Sequence, residues 1–141
     1  MHFISLLVGY NLIKRKYFNE IGWVALGGMI GATLRHFTNQ LFSSIPMNSY
    51  LFTATAFENI LGSFLIGLIY VVLSKRFENN NSLNLFLLTG IIGSYTTYSG
   101  FMVEALLISN ESVYILLCYL FLQITLGILA LWIGLTAGKR I

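Results

Sequence analysis

Four long apolar stretches account for most of this sequence and constrain its fold more than any other feature. They lie at residues 21–42, 50–74, 83–108 and 113–137. A helix needs about 20 apolar residues to cross the hydrocarbon core of a bilayer, and each stretch is that long. Only 9% of the residues are charged, against about 25% in an ordinary soluble domain. The sequence therefore predicts an all-α integral membrane protein with four transmembrane helices.

The residues ahead of the first span are predicted to form a separate N-terminal extension. It covers residues 1–20, and the transmembrane domain covers residues 21–141. The apolar part of the extension is too short to span a bilayer, and its basic cluster at residues 14–16 follows the apolar run. A signal peptide has the opposite order. We expect the extension to lie at the membrane interface.

The basic residues predict the orientation of the chain. Seven of the eight Lys and Arg residues lie before span one, between spans two and three, or after span four. The opposite side, which includes the turn at residues 43–49 around Pro46, is approached only by Arg35. Basic residues favour the cytoplasmic side, so we predict a multi-pass plasma-membrane protein with both termini in the cytoplasm. Because these residues flank apolar runs, nucleic acid is not expected as a partner.

Polar side chains inside the spans are costly in lipid and usually mark function. They are Arg35, His36, Glu58, Asn59, Thr96, Thr97, Ser99, Glu104 and Gln123. For Asn59 and Gln123, the alternative is an interhelical hydrogen bond that holds the bundle together. The sequence has no nucleophile paired with a base, no metal-ligand cluster and no phosphate-binding loop, so an enzyme is not expected.

The third span contains residues that suit a helix broken at mid-membrane. Its sequence at residues 90–101 is GIIGSYTTYSGF, and an unwound turn there would expose carbonyl groups that can bind a cation. Tyr98 and Phe101 are three residues apart and share a helix face. Their ring edges carry partial positive charge and can face a small anion. The alternative is an aromatic packing stripe.

Pairs of glycines predict close contacts between helices. Gly27 and Gly31 in span one, and Gly134 and Gly138 in span four, have the small-xxx-small spacing that lets helix backbones approach. A bundle of four such spans is too thin to enclose a pore alone, so we expect an oligomer.

Four motifs in succession resemble those of the Fluc/CrcB family of fluoride-specific ion channels. They are GGMIGATLR at residues 27–35, NILGSFLIG at residues 59–67, GSYTTYSGFMVE at residues 93–104, and the spacing of Tyr119, Gln123 and Gly127. The resemblance implies an antiparallel dimer with two pores. It also implies passive export of cytoplasmic fluoride, which relieves fluoride toxicity.

The resemblance further implies which residues form the sites. Those of the fluoride pore are Asn59, Thr97, Tyr98, Ser99, Phe101, Tyr119 and Gln123. Arg35 would attract anions toward the vestibule. The carbonyl groups of Gly93 and Thr96 would bind a structural Na⁺ ion at the dimer centre, which is not transported.

Several positions depart from the family pattern. Tyr98 replaces a Phe, Gly100 a Thr and Gln123 a Ser, and Glu58 stands where an apolar residue is usual. An ionised Glu58 facing the pathway would repel fluoride. The strong charge bias also opposes insertion of one sequence in both orientations. We therefore predict a dimer with an oppositely oriented paralogue, with a homodimer as the alternative.

Two other functions remain open from the sequence. A small proton-coupled multidrug exporter also has four spans, but it needs a carboxylate in the middle of span one, where this chain has none after Glu20. Glu58 and Glu104 keep that alternative open. The departures from the family pattern also suit a non-conducting accessory subunit of a fluoride channel.

Overall fold

Helices make up most of the part of the chain that the structure describes. The structure, a computed structural model, describes residues 2–44, 53–77 and 80–141, with the backbone alone for residues 2–16. Its elements are α1 (His2–Phe42), α2 (Ala54–Arg76), α3 (Asn81–Asn84), a π-helical segment (Leu85–Ile92), α4 (Gly93–Tyr95), α5 (Tyr98–Ser109) and α6 (Val113–Arg140). The all-α prediction is confirmed for these residues.

Three stretches of the described residues are long and apolar enough to cross a membrane. They are Ala54–Arg76, Asn81–Ser109 and Val113–Arg140. Large apolar side chains on them face outward, and Trp132 and Phe121 are 63% and 68% exposed. Soluble monomers rarely expose such surfaces. The chain is a membrane protein, as predicted.

The predicted first span forms the C-terminal part of α1, which is continuous from His2 to Phe42. The helix carries no break near residue 20, where the extension was expected to end, and the interfacial position of residues 1–20 stays a prediction. The count of four spans also stays a prediction. Most of the turn expected around Pro46, and residues 78–79 of the second loop, lie outside the described residues.

Glycines bring α1 against the π-helical segment. A Cβ atom added at Gly90 would lie 2.8 Å from Gly27 Cα, and one added at Gly31 would collide with Ile91 O. Side chains larger than hydrogen are therefore excluded from this contact. The close approach predicted from Gly27 and Gly31 is confirmed.

A second glycine contact joins α2 to α6. A Cβ atom at Gly138 would lie 2.9 Å from Leu68 O, and one at Gly134 would collide with Phe64 O. On the α2 side of the contact, a Cβ atom added at Gly67 would likewise collide with a backbone atom of α6, Leu131 O. The approach predicted from Gly134 and Gly138 is confirmed, and its partner is α2.

Basic residues complete the α2–α6 contact at its end. Lys75 Nζ donates hydrogen bonds to Lys139 O at 2.7 Å and to Gly138 O at 3.4 Å. Arg76 Nη2 lies 3.4 Å from Ile141 O. The last carbonyl groups of a helix lack intrahelical donors and carry partial negative charge. Lys75 and Arg76 therefore cap α6 as well as ending α2.

Candidate functional site: an interrupted helix beside a polar cavity

The helical run that begins at Asn81 is interrupted at Thr96 and Thr97. Thr96 has φ −77° and ψ 155°, and Thr97 has φ −145° and ψ 118°, so both are extended. Thr97 is the N-cap of α5, and its Oγ1 accepts a hydrogen bond from Gly100 N at 3.0 Å. The β-branched side chain of threonine suits extended backbone. The π-helical segment lies directly upstream, and such segments are frequent at functional sites.

Asn59 of α2 binds the backbone at this interruption. Its Nδ2 donates to Thr97 O at 3.0 Å, and its Oδ1 accepts from Thr97 N at 2.9 Å. The side-chain amide of Asn59 thus takes the place of the backbone groups that would bind the N–H and C=O of Thr97 in a continuous helix. This is an interhelical hydrogen bond of the kind considered for Asn59. An amide nitrogen has two hydrogens, so the second N–H of Asn59 is not used by the bond to Thr97.

The carbonyl groups of Gly93 and Thr96 are among those that lose their helical donors here. In an uninterrupted α-helix the N–H of Thr97 would donate to Gly93 O, but it donates to Asn59 Oδ1 instead. The N–H of Gly100 would likewise donate to Thr96 O, but it donates to Thr97 Oγ1. Gly93 is also exposed. These carbonyl oxygens are chemically suited to a cation.

Three aromatic rings form a row next to the interruption. The ring centroids of Tyr98 and Phe101 are 6.2 Å apart at an interplanar angle of 43°, which confirms that they share a face of α5. Phe101 stacks on Tyr119 of α6 at 5.4 Å and 23°. Tyr98 is 75% exposed, whereas Tyr119 is completely buried. The row therefore runs from the surface of the subunit into its interior.

Glu104 lies at the buried end of this row. Its Oε2 accepts a hydrogen bond from Tyr119 OH at 2.6 Å and another from Thr53 Oγ1 at 2.9 Å. Thr53 is the N-cap of α2, where its Oγ1 also accepts from Ala56 N. One carboxyl group thus joins α2, α5 and α6.

A polar cavity of about 460 Å³ lies beside the interruption. Its lining carries one basic side chain, two carboxyl groups, three hydroxyl groups and one side-chain amide. Its lining residues are Arg35, Asn39, Thr55, Glu58, Thr97, Ser99, Gly100, Val103 and Glu104.

Glu58 is completely buried at this cavity. Its Oε1 accepts a hydrogen bond from Asn39 Nδ2 at 3.0 Å, and Asn39 Nδ2 also donates to Arg35 O at 2.9 Å. Among the described residues, Glu58 Oε2 has no hydrogen-bond partner. Buried polar atoms are usually paired, so this oxygen requires an explanation.

Comparison with known proteins decides the family. Residues 22–135 match the model of the family described as CrcB-like protein, Camphor Resistance (CrcB). The chain belongs to the CrcB family. A relative from Flavobacterium psychrophilum, named Fluoride-specific ion channel FluC, is 35% identical over 86% of this chain and 98% of its own length. Relatives of the same name from Thermosipho melanesiensis and Beijerinckia indica are 34% and 37% identical, over 82% and 84% of this chain and 93% and 94% of their own lengths.

In this CrcB chain the predicted site residues fall into separate groups. Arg35, Thr97 and Ser99 line the cavity, whereas the three aromatic residues of the row do not. Gln123 lies one helical turn after Tyr119 on α6 and is half-buried. Of the predicted pore residues, Thr97 and Ser99 are those that line this cavity.

Two residues of the CrcB site were missed by sequence reasoning. Thr53 binds Glu104, and a threonine directly before an apolar helix is an N-cap signal that indicates its position. Asn39 follows Arg35 by one helical turn and contacts Glu58. It was overlooked because its partner lies on another helix.

Proposed function

We propose that this chain is a subunit of a fluoride-specific ion channel in the plasma membrane. The observation that carries the proposal is the near full-length match to relatives named as fluoride-specific channels. The family is one of channels and not of enzymes. The subunit lets fluoride leave the cytoplasm passively and so relieves its toxicity.

The chemistry around α5 supports fluoride as the permeating ion. Small anions are strongly hydrated, and a pore must replace their water with hydrogen-bond donors. The unused N–H of Asn59 and the Tyr98 hydroxyl are such donors. The edges of the rings of Tyr98 and Phe101 add partial positive charge without a full charge that would hold the ion. Arg35 attracts anions to the cavity, which serves as a vestibule.

We further propose that residues 21–42 form the first of four spans, and that the third span is broken at mid-membrane at Thr96 and Thr97. Two subunits then assemble antiparallel and form two pores. The support for this arrangement is that only Thr97 and Ser99 of the predicted pore residues line the cavity of the described part of the subunit. The charge bias favours termini in the cytoplasm and an oppositely oriented paralogue as the partner, with a homodimer as the alternative.

A structural Na⁺ ion at the centre of the dimer completes the proposal. The carbonyl groups of Gly93 and Thr96 from each subunit would hold it, because their helical donors are diverted to Asn59 and Thr97. Unwound backbone in membrane proteins coordinates Na⁺ through such oxygens. The ion would join the two interruptions and would not be transported.

The test is fluoride efflux from liposomes that contain the purified chain, measured with a fluoride electrode. Chloride efflux from the same liposomes is the control for selectivity. Rapid fluoride-selective efflux from this chain alone supports the channel and contradicts the need for a paralogue. Efflux only after an oppositely oriented relative is added supports the heterodimer. Absence of fluoride efflux under both conditions contradicts the proposed function and favours the accessory subunit.

A further inference from the structure

Glu58 is a buried acid that the proposed pore does not use. It is completely buried at the start of α2, with Oε1 bound to Asn39 and Oε2 unpaired among the described residues. An ionised carboxylate in this position would be a buried charge with half of its hydrogen bonds missing. Such a charge is far more costly to bury than the neutral acid.

Among the described residues, no ion pair holds Glu58 as a carboxylate. Arg35 lines the same cavity but, among the described residues, forms no ion pair with Glu58. Glu104 of α5 lines the cavity too and would repel a second negative charge. The other elements packed on α2 carry Tyr95 on α4, bonded to Thr38, and Tyr119 on α6, bonded to Glu104.

The π-helical segment is the remaining neighbour of α2, and its sequence LFLLTGII contains no ionisable side chain. The surroundings of Glu58 therefore favour a proton on the carboxyl group. In that state Glu104 is the other carboxyl group at the cavity, and Arg35 forms no ion pair among the described residues.

We propose that Glu58 is a positioning residue that carries a proton in the conducting protein and thereby leaves Arg35 free to attract anions. The neutral acid binds Asn39, whose amide also holds Arg35 O, and so keeps this turn of α1 at the cavity. Loss of the proton places a carboxylate at the same cavity, where its negative charge offsets that of Arg35 and repels anions. The inference rests on the proposed fluoride channel.

The expected consequence is a fluoride efflux that falls as pH rises. The proton is present at low pH and is lost as pH increases, so the negative charge that offsets Arg35 appears as the pH becomes alkaline. Electrostatic attraction changes association rates by about tenfold or more, and we expect a decrease of about tenfold in efflux at low salt. Glu58→Gln keeps an acceptor for Asn39 but cannot ionise, so its efflux stays at the neutral-pH rate throughout.

The experiment measures efflux with the same pH on both sides of the liposomes, from neutral to alkaline values. It uses the assembly that conducts in the test above and compares the native chain with Glu58→Gln. Glu111→Gln removes a carboxyl group from an exposed turn and is the matched control. A decrease in the native chain and in the control, but not in Glu58→Gln, supports the inference. Equal pH dependence of all three, or none in the native chain, overturns it.

Infrared spectroscopy supplies a measurement that does not depend on conduction. The difference spectrum between the native chain and Glu58→Gln at neutral pH contains the C=O band of a protonated carboxyl group if Glu58 carries its proton. Absence of that band overturns the inference even when efflux is normal. Absence of efflux from every variant contradicts the proposed function, whereas a pH-independent efflux contradicts only the role of Glu58.

Discussion

At the scale of single residues, the site depends on side chains that replace backbone hydrogen bonds. Asn59 supplies both partners of Thr97, and Thr97 in turn caps α5. The sequence predicted that Asn59 is important and that residues 90–101 depart from a regular helix. It could not predict that Asn59 binds the interruption. The partner of Asn59 is the backbone of Thr97, and every residue carries the same backbone groups.

Asn59→Ala is expected to destabilise the folded protein by about 2 kcal/mol or more, because an unpaired buried backbone group costs about 1–3 kcal/mol. Both the N–H and the C=O of Thr97 would lose their partners. The measurement is the unfolding midpoint in detergent. Asn19→Ala, at an exposed position of α1, is the control and should leave the midpoint unchanged. An unchanged midpoint for Asn59→Ala would contradict the role of the amide pair.

Two tyrosines allow a matched test of the aromatic row. Tyr119→Phe removes a buried hydroxyl that donates to Glu104 at 2.6 Å, and we expect a loss of about 2 kcal/mol, since hydrogen bonds to charged groups contribute about 1.5–3 kcal/mol. Tyr98→Phe removes the same atom from a ring that is 75% exposed, and little change is expected. The measurement is the free energy of unfolding of both variants, by calorimetry or chemical denaturation. An equal loss of stability in the two variants would contradict the stabilising role of the buried Tyr119 hydroxyl.

At the scale of the helices, glycine contacts decide which elements pair. α1 packs on the π-helical segment and α2 packs on α6. The sequence predicted the glycine pairs in α1 and α6 but not their partners, because small-residue spacing identifies a face and not what lies against it. It also did not predict the π-helical form of Leu85–Ile92, since an apolar run has the same composition in either helix.

Gly134→Ala is expected to destabilise the α2–α6 contact by about 1–3 kcal/mol, the usual cost of overpacking. Its new methyl group would collide with Phe64 O, a backbone atom that cannot rotate away. Gly22→Ala is the matched control, because a Cβ atom there has no neighbour within 4 Å. Thermal unfolding in detergent should show a lower midpoint for the first variant only. A midpoint for Gly134→Ala that is equal to or higher than that of Gly22→Ala would contradict the close packing of α2 on α6 at Gly134.

At the scale of the whole molecule, we expect the distribution of basic residues to set the orientation of the chain in the membrane. We expect that orientation to decide which partner the chain assembles with. The basic residues at the ends of α2 and α6 lie together. The membrane class and the helical fold were predictable because they depend on composition and on the lengths of apolar runs. Assembly depends on a partner surface, which one sequence does not contain.

We expect a single orientation with the C-terminus in the cytoplasm. A cysteine introduced at Ile141, in a chain with Cys118→Ser, should react with a membrane-impermeant reagent only after the cells are opened. Cys118 is exposed in the subunit and must be removed for the labelling to report one site. Labelling of half of the molecules in intact cells would show dual orientation and would contradict the heterodimer.

The pairing of α2 with α6 has a consequence for how the chain is made. Ribosomal synthesis delivers α2 before α3, α4 and α5, yet Gly67 meets its partner only when Gly134 has been synthesised. Until α6 has been synthesised, the surface of α2 around Gly67 has no helix packed against it. That surface is in contact with lipid or with the translocation machinery. Nascent chains stopped within α6 should therefore remain protease-sensitive, and the subunit should acquire its compact form only as α6 emerges.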